Sequence, residues 1–205
     1  MLLERHAQNV STLAREAPLL GLALTVHRNT RWKPIAFARR PYLVELYTEG
    51  RDITEGVLSK AVQTGISELL IQLALDAAGW RSPGRIVAYV LPNYTVRNRF
   101  VQNRINPLLL RIPEYRDRCP GGAFEDADAK GAESMGLKRF GRGALMFLGS
   151  NTRTEFVEFS ADAIIVDEYD QCDPENLALA GDRLRESPYP QRFYVGNPTR
   201  ARGGI

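Results

Sequence analysis

Lys60, Gly65 and Ser67 are the first residues whose types and spacing could do chemistry. They lie in the stretch Lys60-Ala61-Val62-Gln63-Thr64-Gly65-Ile66-Ser67, after the apolar run GVLSK (56–60) and before ELLIQLALDAAGW (68–80). A turn between a strand and a buried helix aims several backbone N–H groups at one point, and the helix N-terminus adds about half a positive charge. A phosphate chain fits there. The usual phosphate loop reads GxxxxGK[ST]. Gly65-Ile66-Ser67 matches its last three positions, save that Ile66 replaces the lysine, and Ser59 stands where the first glycine would be. Lys60, at the front of the loop, has a side chain long enough to reach back over the same phosphates. The alternative for this segment alone is an ordinary strand-to-helix connection.

Two further groups end apolar runs. Asp167 and Glu168 follow Ala163-Ile164-Ile165-Val166, which puts two carboxylates at the carboxyl end of a buried strand. Open α/β sheets bind their ligands at that end. One acid can hold Mg²⁺, directly or through water, and the next can polarise a water for attack on a terminal phosphate. The alternative is a strand end with two solvated acids. Asp170, further on, reads as solvated or as a partner for an arginine. Tyr194-Val195-Gly196-Asn197-Pro198-Thr199 ends a third run in small polar residues able to sense a third phosphate, or forms a plain turn.

The elements that must position these residues alternate. GVLSK reads as a strand, and the helix after it is apolar almost all round, which implies burial on all sides. RIVAYVLP (85–92), ALMFLGS (144–150), ADAIIVDEYD (161–170) and QRFYVGNPT (191–199) read as buried strands of a parallel sheet. Residues 3–16 have helical character, 27–41 read as a basic, aromatic loop or short strand, and PYLVELYTEG as a short helix. Residues 93–111 read as a helix broken before Pro107, and 112–143 as an irregular insertion or hairpin. DPENLALAGDRLRES (173–187) reads as a helix capped by Asp173 with Pro174 at its first position. Strands alternating with helices give an α/β domain with a mainly parallel sheet.

Composition narrows the class. The 205 residues are 44% hydrophobic and 25% charged, which excludes a disordered, collagenous or disulfide-built chain. Net charge is +3 and the pI about 9.0, which permits a polyanionic partner. Residues 1–51 carry eight Lys/Arg against four Asp/Glu, and 160–187 carry eight Asp/Glu against two Arg, so a basic face and a separate acidic site are expected. The two cysteines, Cys119 and Cys172, form no zinc or redox spacing. No apolar run reaches bilayer length and no signal-peptide core opens the chain, so the expectation is a soluble cytoplasmic protein.

Taken in order along the chain, these motifs resemble the ATPase domain of the large terminase subunit of tailed bacteriophages, the motor that packages DNA into procapsids. The resemblance covers roughly residues 35–205, with 1–34 as a helical, basic lead-in. It rests on KAVQTGIS, VLPNYTVRNRFVQNRINPLL, FLGSNTRTEFVEFSADAIIVDEYD and YVGNPTRARGG. It is nearest to the lambda-like branch, in which the loop lysine stands at the front, as Lys60 does.

The resemblance implies a P-loop NTPase fold of the ASCE type. It implies a Mg²⁺-dependent ATPase in which Lys60, Gln63, Thr64, Gly65, Ile66 and Ser67 bind the nucleotide. Ser67 and Asp167 would hold the metal, Glu168 would activate water, and Asn197 and Thr199 would couple hydrolysis to movement. Tyr42 falls in the adenine-contacting segment, with packing on the core as its alternative. Val62 and Val157 stand where relatives carry arginines, so Arg153 becomes the expected arginine finger, with Arg139 and Arg142 behind it. Arg97, Arg99, Arg104 and Arg111 could touch DNA or a neighbouring subunit, or form a solvated helix face. The implied partners are double-stranded DNA, the portal protein, the small terminase subunit and further copies in a ring, in the host bacterial cytoplasm. The C-terminal nuclease domain of the family lies outside this chain, which suggests a truncated one. The rival functions are a helicase-like P-loop translocase, and a non-catalytic nucleic-acid-binding assembly module whose nucleotide site has decayed.

Overall fold

A computed structural model of the chain describes residues 16–119, 135–157 and 159–197. Its centre is a six-stranded sheet: β1 (Glu55–Ser59), β2 (Ile86–Leu91), β3 (Leu137–Phe140), β4 (Gly143–Gly149), β5 (Ala163–Asp167) and β6 (Gln191–Gly196). The order is β1-β6-β5-β2-β4-β3, parallel throughout except for the β3–β4 hairpin. Register sets the working edge. Ser59 pairs with Gly196 and Asp167 with Val195, so Lys60, Asn197 and Glu168 leave their strands at one level.

The helices are α1 (Pro18–Thr25), α2 (Tyr42–Glu49), α3 (Ile66–Gly79), α4 (Tyr94–Phe100), α5 (Asn106–Arg111), α6 (Pro113–Arg116) and α7 (Pro174–Asp182). Both faces of the sheet are covered. Val87, Tyr89 and Leu91 pack with α3 on one side, while Ala88 and Val90 pack with Leu177 of α7 on the other. That alternation is the two-residue period of a strand, and burial of both faces is why the runs read as continuously apolar. Every residue of α3 from Glu68 to Ala78 is buried, the polar Glu68, Gln72 and Asp76 included, as its nearly all-round apolarity leads one to expect. Asp173 caps α7, accepting from the N–H groups of Glu175 and Asn176.

Several expectations change. The helix does not break before Pro107. Residues Val101–Ile105 wind as a π-helix, and Asn106 N–H donates to Val101 O, five residues back. The shifted bonding lets proline enter in the first turn of α5, where no N–H is needed. The segment read as an insertion contains α6 and the β3–β4 hairpin; residues 120–134 lie outside the described residues. Helix α7 ends at Asp182, and tight turns such as Leu184 N–H to Gly181 O carry the chain onward. Helix α1 is not legible in the sequence, and the helix expected over 3–16 falls almost wholly outside the described residues. The arginine-rich stretch is a solvated face only in part: Arg99 and Arg111 are exposed, whereas Arg97 and Arg104 turn inward. Arg97 is buried and paired with Glu155 at 2.8 Å, and Arg104 pairs with Glu68 at 2.6 Å. Arg111 lies over the Trp32 ring.

Asp76 of α3 is fully buried, and its Oδ2 accepts from Arg51 Nε at 3.1 Å and Arg81 Nε at 2.8 Å. Asp76→Asn leaves two guanidiniums without their shared anion and is expected to cost about 3–5 kcal/mol of stability. Urea unfolding measures it; an unchanged midpoint would show that the network is not stabilising.

Candidate functional site

The loop between β1 and α3 is held open by its backbone. Lys60 N–H donates to Gly196 O, while Glu68 and Leu69 N–H donate to Gly65 O. Gly65 has φ +90°, and a Cβ there would meet Leu43 at 3.1 Å, so both conformation and space favour glycine. Gln63 also takes a left-handed conformation, at φ 63°. Two outer contacts brace the loop: Arg40 donates to Gln63 O at 3.1 Å and the Tyr42 hydroxyl to Thr64 O at 2.7 Å. No acceptor among the described residues takes the N–H groups of Ala61 through Ser67. Such a row of free donors at a helix N-terminus suits an anion.

Lys60 folds back over this loop. Its ammonium lies 3.1 Å from Ser67 Oγ, 2.5 Å from Asp167 Oδ1 and 3.1 Å from Glu168 Oε1, with the side chain 8% exposed. One cation therefore gathers a hydroxyl and two carboxylates. Asp167 is 3% exposed, and its other oxygen accepts from the Tyr89 hydroxyl at 3.1 Å. Burial, and then the Asp167 charge, push the Tyr89 phenol well above its ordinary value, so it stays a proton donor that fixes the carboxylate. Glu168 sits at φ 58°, a conformation costing a non-glycine residue about 1–2 kcal/mol. That turn sets its carboxylate beside Lys60 rather than along the strand. Behind it the Cys172 thiol donates to Glu168 O; burial pushes it up to about 12, so it remains a thiol.

A cleft of about 700 Å³ opens over these groups. Lys60, Gln63, Thr64, Gly65, Ile66, Ser67, Glu168 and Asn197 all line it. Asp167 does not line it and meets it through Lys60. Asn197 N–H donates to Asp170 Oδ1 at 3.0 Å, so Asp170 ties the end of β6 to the turn after Glu168 and is not merely solvated. Thr199 lies outside the described residues. Tyr42 is 49% exposed and is not among the lining residues; its hydroxyl bond to the loop is its described role. Arg153 is exposed in a turn after β4 and does not line the cleft either. Arg139 and Arg142 are at the wrong end of the sheet: Arg139 pairs with Ala144 near the start of β4, and Arg142 packs on Gly84 just before β2.

Other residues at the cleft are not legible from spacing. Arg31, Lys33, Arg39 and Arg40 supply its positive wall; the basic run stands out in the sequence, but nothing in it indicates that it faces the loop. Glu68, directly after Ser67, accepts from Arg104 and meets fully buried His27 at 3.1 Å, whose other ring nitrogen meets the Tyr115 hydroxyl. Burial pushes the Glu68 carboxyl up, but His27 and Arg104 outweigh it and hold it below its ordinary value. This chain of contacts anchors the first turn of α3 to the segment before α2.

Residues 29–205 match the family model for the phage terminase large subunit gpA, ATPase domain. The chain belongs to this family. The architecture is the P-loop NTPase fold. Among solved structures, the large terminase of bacteriophage HK97 shares the fold with a TM-score of 0.67 at 12% identity, over 89% of this chain and 37% of that one. The large terminase of a thermophilic bacteriophage, in complex with ADP, aligns with a TM-score of 0.48 at 13% identity, over 72% and 34%. This terminase ATPase domain thus spans little more than a third of the length of the HK97 protein. No curated protein matches the chain. Among the described residues no helix is long and apolar enough to cross a membrane.

Proposed function

We propose that the chain hydrolyses ATP with Mg²⁺ and that hydrolysis drives double-stranded DNA into a procapsid. The observation that carries this reading is the Lys60 ammonium set against Ser67, Asp167 and Glu168 at the carboxyl edge of a parallel sheet. The free loop N–H groups and Lys60 would bind the phosphates, with Lys60 at the front of the loop as in the lambda-like branch. Ser67 and Asp167 would hold Mg²⁺, which when bound offsets phosphate charge. Glu168 would orient a water and take its proton. Asn197, tied to Asp170, would carry the state of the site into the chain beyond β6. Residues 35–205 would form the motor domain and 1–34 its lead-in. The setting would be the host cytoplasm, with the portal protein and small terminase subunit as partners. Phosphate release from ATP, with and without Mg²⁺, tests the reading; no release, or release indifferent to Mg²⁺, would contradict it.

The arginine that meets the transferring phosphoryl group would come from a neighbouring copy. Arg153 is exposed and outside its own cleft, as a residue acting in trans must be. An arginine finger is worth roughly 10³–10⁵ in rate, so turnover per chain should rise with protein concentration. Arg153→Ala chains mixed with wild type should depress turnover per wild-type subunit. Concentration-independent turnover would remove Arg153 from this role and turn attention to Arg40 in cis.

A further inference from the structure

A second cleft, of about 470 Å³, opens at the other edge of the sheet. Its lining comes from the segments that enter β1, β2 and β6, around Arg51, Arg81, Arg85 and Tyr189. Those strands are parallel, so this edge lies a strand length, roughly 17–20 Å, from the phosphate cleft. Arg51 and Arg81 share one oxygen of buried Asp76, and Arg81 Nη1 donates to Gln191 at 3.1 Å. Arg85 lies over the Tyr189 ring, 4.7 Å from its centroid.

Positive charge is in excess here. Three arginines line the cleft against a single acid, Asp52, with Asp76 behind them. Arg81 is 9% exposed, and its Nη2, like Arg85 Nε, is buried with no hydrogen-bond partner among the described residues. Burial, and then neighbouring Arg81, hold the Arg85 guanidinium below its ordinary value, with Asp162 and Asp76 offsetting part of this. Unsatisfied guanidinium donors in a desolvated cluster are costly unless an anion completes them.

We infer that this rear cleft binds phosphate groups of a nucleic-acid backbone. Guanidinium forks match phosphate oxygens in pairs. Tyr189 is 41% exposed between Pro188 and Pro190, which gives the arginines an apolar rim against which a sugar can lie. The choice of a backbone over a free anion rests on the DNA-motor reading; the phosphate chemistry rests on the cleft alone.

Fluorescence anisotropy of a short labelled DNA duplex, titrated with the full chain at several salt concentrations, tests this. The double variant Arg51→Gln/Arg85→Gln should bind about tenfold or more weaker, and the slope of log affinity against log salt should shrink by about two. Arg85→Gln/Tyr189→Ala, which leaves both ion pairs to Asp76 in place, should weaken binding in the same direction. Arg116→Gln, an exposed arginine outside the cleft, should bind as wild type does. ATP binding should be unchanged in all three variants; melting temperature should be unchanged in Arg85→Gln/Tyr189→Ala and in Arg116→Gln, and lowered in the first variant, which loses one ion pair to Asp76. Equal duplex affinity and slope in the cleft variants would overturn the inference. Displacement of the duplex by inorganic phosphate alone, at constant ionic strength, would overturn it in favour of a small-anion site. Polyglutamate bound as tightly as duplex and lost in the same variants would overturn it in favour of an acidic protein. A wild type that binds ATP but no duplex would sink this inference and leave the nucleotide site standing; one that binds neither would sink both.

Discussion

Lys60→Ala is expected to abolish detectable nucleotide binding and turnover. Among the described residues no other cation reaches the gathering point of the site: position 66, where a phosphate loop usually carries lysine, is a buried isoleucine. Lys60 touches Ser67, Asp167 and Glu168 together. Removing it also leaves Asp167, which is 3% exposed, beside Glu168 without a cation, holding only the neutral donors Tyr89 hydroxyl and Glu168 N–H among the described residues. A lone buried carboxylate costs about 3–5 kcal/mol, so the variant should also melt earlier. Equilibrium binding of a fluorescent ATP analogue, on samples checked by circular dichroism, measures the first effect apart from the second. Wild-type binding by a folded Lys60→Ala chain would refute the assignment.

Glu168→Gln and Asp167→Asn should fail in different ways. Glutamine keeps the shape of Glu168 and removes the base, so ATP with Mg²⁺ should still bind while hydrolysis slows by at least about 100-fold, the lower end for loss of a general base. Glu168 suits that task because it is partly open to solvent, with 35% of its side chain exposed, and because a strained backbone turns it toward the cleft. Asp167 is buried and pinned by Tyr89, as a fixed metal ligand should be. Asp167→Asn should weaken nucleotide binding in Mg²⁺ and leave binding in EDTA much less affected. Single-turnover hydrolysis together with binding in the two media separates these outcomes. Normal hydrolysis by Glu168→Gln would mean another residue takes the proton.

What is legible in the sequence follows from where the signal is local. The sheet is readable because its strands are apolar on both faces, and the acidic pair because Asp167 and Glu168 end such a run. The helix after the loop is readable because α3 is buried all round. Lys60 is marked by its place at the front of the loop, before any distance is known. Contacts between distant segments are not legible. Nothing in RIVAYVLP says that Tyr89 will reach Asp167, 78 positions away. Arg40 and the basic run before it approach the loop only through the packing of α2. Arg97 and Arg104 look like a solvated face because spacing cannot show that Glu155 and Glu68 come to meet them. Pro107 looks like a helix end because a π-turn leaves no mark in the apolar pattern. The rear arginine cleft is assembled from the starts of three strands that are far apart along the chain.

The most direct test of the account is crystallographic density for the Glu168→Gln chain with ATP and Mn²⁺, the metal located by its anomalous signal. The account predicts a single metal peak between Ser67 Oγ and Asp167, with the phosphates along the loop from Ala61 to Ser67 and Lys60 drawn off the carboxylates onto them. A metal peak elsewhere, or nucleotide bound away from this loop at saturating concentration, would contradict it.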